Sequence, residues 1–183
     1  MHAEYRKGLN VLFTRRALAI YLKVQEQIYR AHFAKWVSQD ADPTLPARKY
    51  QLLFRDLNME TSLRVFCGEY IPVHGQKAIS DNYWLITKAL ELVNFPLAIP
   101  GTKVYSAVQA RKIAMKWFEH ACTESKKRMK SPGAEPHCLL DEWVKNLLDE
   151  NEGVDRYTNT EMSLVVLSFI FASQGQSIAE DSV

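Results

Sequence analysis

A mainly α-helical fold in one domain is what this sequence predicts, and three observations carry the prediction. Apolar residues recur at steps of three and four through most of the chain. Proline and glycine gather at a few breaks between those runs. No strand is predicted anywhere. The bulk numbers agree: 183 residues, 47% of them hydrophobic and 24% charged, with seven glycines and seven prolines, suit one globular domain with a sizeable core. They exclude a disordered, collagenous or disulfide-stapled chain.

Residues 2–17 and 19–38 read as two helices, followed by a breaker segment from Asp40 to Pro46. A third helix runs from about Arg48 to Phe66, with Tyr50, Leu53, Phe54 and Leu57 on one face. Cys67-Gly68 ends it, and Pro72 and Gly75 bound a short connection. A fourth spans roughly 77–94, where Ile79, Tyr83, Ile86, Leu90 and Val93 form one buried stripe. Pro96 and Pro100-Gly101 then force a turn, because each proline locks φ and removes a backbone donor.

The fifth helix, from about Lys103 to Lys130, ends in Lys126, Lys127, Arg128 and Lys130, cations that suit its negative dipole end. Ser131, Pro132 and Gly133 stop it, and residues 138–149 form a shorter helix. The last helix starts at Thr158, with Glu161 three residues later in a capping box. Its Leu164, Val165, Val166, Leu167, Phe169, Ile170 and Phe171 cover every face, the pattern of a helix enclosed by a large protein. Residues 175–183 form a polar tail outside the domain, which is assigned to 1–174.

The net charge of +2 predicts no nucleic-acid partner. Its distribution is uneven: residues 1–37 hold seven Lys/Arg against Glu4 and Glu26, a local excess of +5 that leaves −3 for the rest. Cys67, Cys122 and Cys138 have neither disulfide nor zinc spacing, so a reducing compartment is expected. No signal peptide is read at the N-terminus. The most apolar run, Leu164 to Ala172, is nine residues against the roughly 18 a spanning helix needs. No membrane anchor is therefore expected in this chain.

Phosphate loops, nucleophile elbows and H-E-x-x-H are absent. A metal cluster of His120, Cys122, His137 and Cys138 fails on geometry, because helix residues two apart point about 200° apart. Lys126 to Lys130 read as a solvated helix terminus rather than a nucleic-acid or lipid contact. His2 and Arg6, four apart, share a helical face. Such a pair either clamps a carboxylate or propionate or is an ordinary exposed pair, and the residues leave both readings open.

Five stretches, in order, resemble the fungal sterol C-22 desaturases of the cytochrome P-450 family. They are H-A-E-Y-R-K-G-L-N-V-L-F-T-R-R-A-L at 2–18, F-C-G-E-Y-I at 66–71, A-L-E-L-V-N-F-P-L-A-I-P at 89–100, I-A-M-K-W-F-E-H-A-C at 113–122 and S-F-I-F-A-S-Q at 168–174. The resemblance covers 2–174 and implies a partial cytochrome P-450 fold, from its third major helix through the central distal helix, without the proximal haem-binding half. It implies an oxidoreductase of ergosterol biosynthesis: a haem-thiolate monooxygenase that introduces a sterol side-chain double bond with O2 and NADPH. The partners it implies are a sterol substrate and NADPH–cytochrome P-450 reductase. The place it implies is the endoplasmic reticulum membrane, with membrane association belonging to the intact family member.

Residue by residue, the resemblance gives His2 and Arg6 to a haem propionate, and Ala172 and Ser173 to the distal face of the haem. Phe171 joins Phe95, Leu97 and Ile99 as sterol contacts, and Lys7, Arg15 and Arg16 face the acidic reductase. Buried packing is the rival explanation for the apolar residues and a plain solvated face for the basic ones. The likeness ends at Gln174, for Gly175 stands where the family has an acid that helps deliver protons. No cysteine here matches the axial ligand, so no metal-binding residue is assigned and the chain by itself is expected to be catalytically incompetent. Side chains left wet would each forfeit roughly 1.5–3 kcal/mol of burial, which predicts marginal stability. The rivals from other classes are a non-catalytic helical protein that binds sterol or docks the reductase, and a helical scaffold unrelated to sterols.

Overall fold

The computed structural model describes residues 10–42, 44, 49–91, 98–150 and 153–174. Among these, every regular element is helical, in line with the predicted class. The order is a single 3-10 turn (Val11–Phe13), then α1 (Arg15–Asp40), α2 (Tyr50–Cys67), α3 (Val73–Glu91), α4 (Lys103–Met129), α5 (Leu139–Asp149) and α6 (Asn159–Gln174).

Capping chemistry sets most of the boundaries. Thr14 accepts a hydrogen bond from the Ala17 amide at 3.3 Å and so opens α1. The first break therefore falls at Thr14, inside the helix predicted over 2–17, because a threonine oxygen satisfies a donor that the helix start leaves free. Residues 2–9 of that predicted helix lie outside the described residues. Thr102 caps α4 in the same way, accepting from the Tyr105 amide at 3.2 Å. At α6 the predicted box is present: Glu161 Oε2 accepts from the Thr158 amide at 2.8 Å, and the Glu161 amide donates to Thr158 Oγ1 at 3.1 Å.

Gly68 closes α2 at φ +58°, a left-handed value that suits a residue without Cβ. A Cβ there would also come within 3.3 Å of Cys138 Cβ, so the glycine lets the end of α2 approach the start of α5. The α3 helix begins four residues before its predicted start. The Pro72 carbonyl accepts from the amides of Gly75 (2.8 Å) and Gln76 (3.0 Å), and the helix propagates from there. Gly75 is thus part of the first turn of α3 rather than a breaker. It is glycine because the Trp117 indole of α4 packs where a side chain would stand, 2.9 Å from a hypothetical Cβ.

The α3 and α4 helices pack along each other, α6 lies against α4 and α2, and α1 pairs with α2. The main core includes Leu63, Ile79, Phe118, Trp143, Met162 and Ile170. A smaller cluster of Ile28, Trp36 and Leu57 joins α1 to α2. Of the predicted α3 stripe, Ile79, Tyr83 and Ile86 are buried; the Leu90 side chain and Val93 lie outside the description. On α2 the predicted face splits, with Leu57 buried and Tyr50 and Phe54 exposed. Phe54 sits edge-on to Trp36 at the margin of the smaller cluster instead of beneath it. The apolar α6 buries one stripe (Met162, Val166, Ile170, Gln174) together with Ser163, while Leu164 and Ser168 face outward among the described residues.

The basic end of α4 departs from the solvated terminus that was expected. Lys126 is buried and its ammonium donates to the Tyr157 carbonyl at 2.7 Å. Tertiary packing takes it inward because the segment before α6 offers an acceptor, and burial lowers its pKa. Lys127 and Lys130 remain exposed.

Candidate functional site

The C-terminal turn of α6 carries three of the predicted site residues, Phe171, Ala172 and Ser173. Tyr83 from α3 donates to the Ile170 carbonyl at 3.4 Å, and Phe169 stacks on Phe66 of α2 with ring centres 5.2 Å apart. These contacts fix the rotation of the helix. Gln174 then turns inward, 2% exposed, while Ala172 and Ser173 face outward and Phe171 is half-buried.

A small polar cluster joins α6 to α2 at this point. Ser173 Oγ lies 2.9 Å from Ser62 Oγ and also donates to the Ile170 carbonyl at 2.8 Å. Gln174 Nε2 reaches Ser62 Oγ at 3.4 Å. The Gln174 Oε1 atom is buried with no hydrogen-bond partner among the described residues. Ser62 and Gln174 were not singled out in the sequence. No local signal marks Ser62, whose importance comes from facing a helix 111 residues away.

The remaining predicted site residues do not all meet there. Ile99 is 52% exposed in the turn before α4, where its carbonyl accepts from Thr102 Oγ1 at 2.6 Å. His2, Arg6, Lys7, Phe95 and Leu97 lie outside the described residues. Arg15 is exposed and makes no ion pair among the described residues. Arg16 is engaged within the chain: its guanidinium meets Glu135 Oε2 at 2.7 Å and Glu142 Oε2 at 3.3 Å.

All three thiols are buried. Burial pushes Cys122 up to about 11, against the opposing hydrogen bond from Ser163, and holds Cys67 and Cys138 well above the ordinary thiol range. Among the described residues, no three His, Cys, Asp or Glu side chains converge as a metal site. The fit to a planar apolar cofactor is therefore one-sided. Small outward side chains at Ala172 and Ser173 leave room for a flat face, whereas the three cysteine thiols are enclosed in the core.

A second polar centre lies at the junction of α4 and α5. Asp141 is fully buried, yet each carboxylate oxygen accepts twice. Oδ1 accepts from Tyr70 Oη and Ser125 Oγ, both at 2.7 Å. Oδ2 accepts from Arg128 Nη1 at 2.7 Å and from the His137 amide at 3.0 Å. Burial, with the neighbouring carboxylate, pushes the Tyr70 phenol upward, so it stays a donor at neutral pH. Four donors around one carboxylate make this a structural tie rather than a free acid.

No protein-family model and no solved structure matches this chain. Curated sequences do. Over 96% of its length it is 38% identical to the C-22 sterol desaturase ERG5 of Saccharomyces cerevisiae, covering 34% of that protein. Over the same share it is 36% identical to the cytochrome P450 monooxygenase oblE of Emericella variicolor, covering 37%. For the C-22 sterol desaturase ERG5 of Candida albicans the values are 35% identity and 35% coverage. The chain spans about a third of the length of the curated relatives it matches.

Proposed function

Because this chain belongs to the cytochrome P-450 family, we propose that it is the distal, substrate-facing part of a haem-thiolate sterol C-22 desaturase. The observation that carries this reading is the likeness over 96% of the chain to desaturases of that name in two yeasts. The reaction class is the introduction of a double bond into a sterol side chain with O2 and NADPH. Electrons would come through NADPH–cytochrome P-450 reductase at the endoplasmic reticulum membrane. Among the described residues, no helix is long and apolar enough to cross a membrane.

Haem, when bound, would supply the oxygen activation. This chain's own contribution is enclosure and orientation. Ala172, with a single methyl, lets a flat ring approach α6 closely. Ser173 holds its hydroxyl proton toward the Ile170 carbonyl or Ser62 Oγ, at 2.8 and 2.9 Å. Phe171 and Ile99, with Phe95 and Leu97, provide apolar surface for a sterol, and His2 and Arg6 are the proposed propionate grip. With its three thiols buried, the chain alone is proposed not to turn over. The reading as a reductase-docking helical protein is weakened at Arg16, whose charge is met internally by Glu135 and Glu142.

The test is co-expression of the polypeptide that carries this segment with NADPH–cytochrome P-450 reductase in cells lacking sterol C-22 desaturation. The expected result is sterol with a new side-chain double bond, together with a thiolate-type ferrous–CO absorption band. An unchanged sterol profile beside a normal CO band would keep the haem assignment and overturn the sterol one. Loss of both would overturn the proposal.

A further inference from the structure

Two contacts set the register between α2 and α6. Phe66 stacks on Phe169 with ring centres 5.2 Å apart. Four residues back on α2 and four onward on α6, Ser62 Oγ lies 2.9 Å from Ser173 Oγ. Residues four apart share a helix face, so the aromatic stack brings the two hydroxyls opposite each other.

The polar groups at this point are not what packing alone requires. Ser62 is buried on α2 along with Met59, Leu63 and Val65, where an alanine would serve a purely apolar contact. Gln174 is buried as well, and its Oε1 has no hydrogen-bond partner among the described residues. A buried amide left half-satisfied weakens a fold. Its Nε2 bond to Ser62 Oγ at 3.4 Å therefore points to a role other than stability.

Counting protons gives the cluster a direction. A serine hydroxyl has one proton to give and two lone pairs. Ser62 Oγ takes a bond from Gln174 Nε2, and the acceptor within its reach is Ser173 Oγ. The order is then amide to Ser62 to Ser173. Ser173 keeps its own proton, which lies toward the Ile170 carbonyl at 2.8 Å. That carbonyl also accepts from Tyr83 at 3.4 Å, so it retains a partner when the Ser173 proton turns away. Ser173 is exposed, and an acceptor can approach it from outside.

We propose that Ser62 and Gln174 are positioning residues for Ser173 in the reaction assigned above, an inference that rests on reading the outward face of α6 as the distal wall. Gln174 directs the Ser62 proton onto Ser173 Oγ, and that bond leaves the Ser173 proton as the one to be offered outward. Its acceptor is a small oxygen species held at that face, O2 or a water. No proton leaves its own oxygen in this arrangement. The cluster orients and polarises a donor, each bond strengthening the next.

The test uses the polypeptide that carries this segment, with NADPH–cytochrome P-450 reductase, and reads sterol product and hydrogen peroxide formed per NADPH oxidised. Ser62→Ala is expected to lower product per NADPH by about threefold or more, with peroxide rising in its place and the ferrous–CO band unchanged. Ser62→Thr, which keeps the hydroxyl, should restore the parent's ratio, and Gln174→Met should fall between the two. A second readout needs no haem: in the 183-residue protein isotope-labelled at glutamine, Ser62→Ala should move the Gln174 side-chain amide proton upfield and Ser62→Thr should not. A parent-like product ratio in Ser62→Ala beside a normal CO band would overturn the inference and leave the desaturase reading standing. Equal losses in Ser62→Ala and Ser62→Thr, or an unmoved Gln174 amide, would overturn it too, by showing that packing and not the hydroxyl matters. A parent without the CO band would overturn the reading and the inference together.

Discussion

Arg128 Nη1 and Asp141 Oδ2 meet at 2.7 Å where α4 turns into α5, with the carboxylate side chain wholly removed from solvent. A buried charge of this kind is stable only while its partners remain. The same carboxylate also accepts hydrogen bonds from Tyr70 and Ser125, so one side chain fastens α4, α5 and the α2–α3 connection together.

Asp141→Asn is expected to cost roughly 3 kcal/mol, because it removes the charge that Arg128 was desolvated to meet and turns one acceptor into a donor. Urea unfolding followed by circular dichroism measures this. A loss below about 1 kcal/mol would mean that the buried carboxylate does not hold α4 to α5.

Alkaline pH should destabilise the fold. The Cys122 thiol is raised to about 11 from an ordinary value of 9.0. Between those values the unfolded chain has released a proton that the folded chain still holds, so stability falls as pH rises. The loss for Cys122 is roughly 2–3 kcal/mol across the window. Cys67 and Cys138 act in the same direction. Lys126 acts oppositely, since its lowered pKa makes stability rise with pH below the ordinary lysine value, but one amine opposes three thiols. Melting temperatures recorded from about pH 8 to 11 should drop, and Cys122→Val should flatten the slope.

Gly75→Ala should destabilise in spite of alanine's better helix propensity. The added methyl would sit 2.9 Å from the Trp117 ring and 3.0 Å from Ile71 Cγ2. Overpacking of this order costs about 1–3 kcal/mol. Thermal unfolding with Trp117 fluorescence as the probe would register both the loss and any displacement of the indole; a rise in melting temperature would contradict the contact.

Thr158→Ala should cost about 1 kcal/mol by removing the cap of α6. Glu161→Ala removes the reciprocal half of the box, and the double variant should lose less than the sum, because the two side chains serve each other. Strict additivity would show that the two bonds act independently.

Much of the helical order was legible in the chain. Thr158 with Glu161, Cys67-Gly68 and Pro100-Gly101 marked ends that the structure keeps, because capping and turn formation depend on neighbours a few residues away. The stripe Ile79, Tyr83 and Ile86 was legible for the same reason: its period is a property of one helix. The start of α3 was misread because Gly75 signals a break locally, whereas it is small to admit Trp117 from another helix. Ala172 and Ser173 came from likeness to a family and not from any local rule, and the inward turn of Gln174 beside them had no signal in the sequence.

The sequence by itself determined which segments are helical, where caps and turns end them, and the family to which they belong, since periodicity, capping and motif order all reside in consecutive residues. Tertiary structure alone decided that Lys126 is buried, that Arg16 spends its charge on Glu135 and Glu142, and that Tyr70, Ser125, Arg128 and His137 converge on Asp141. The physical reason is distance along the chain. Whether a charged side chain is solvated, paired or free to meet a ligand depends on groups that only packing brings within hydrogen-bond reach.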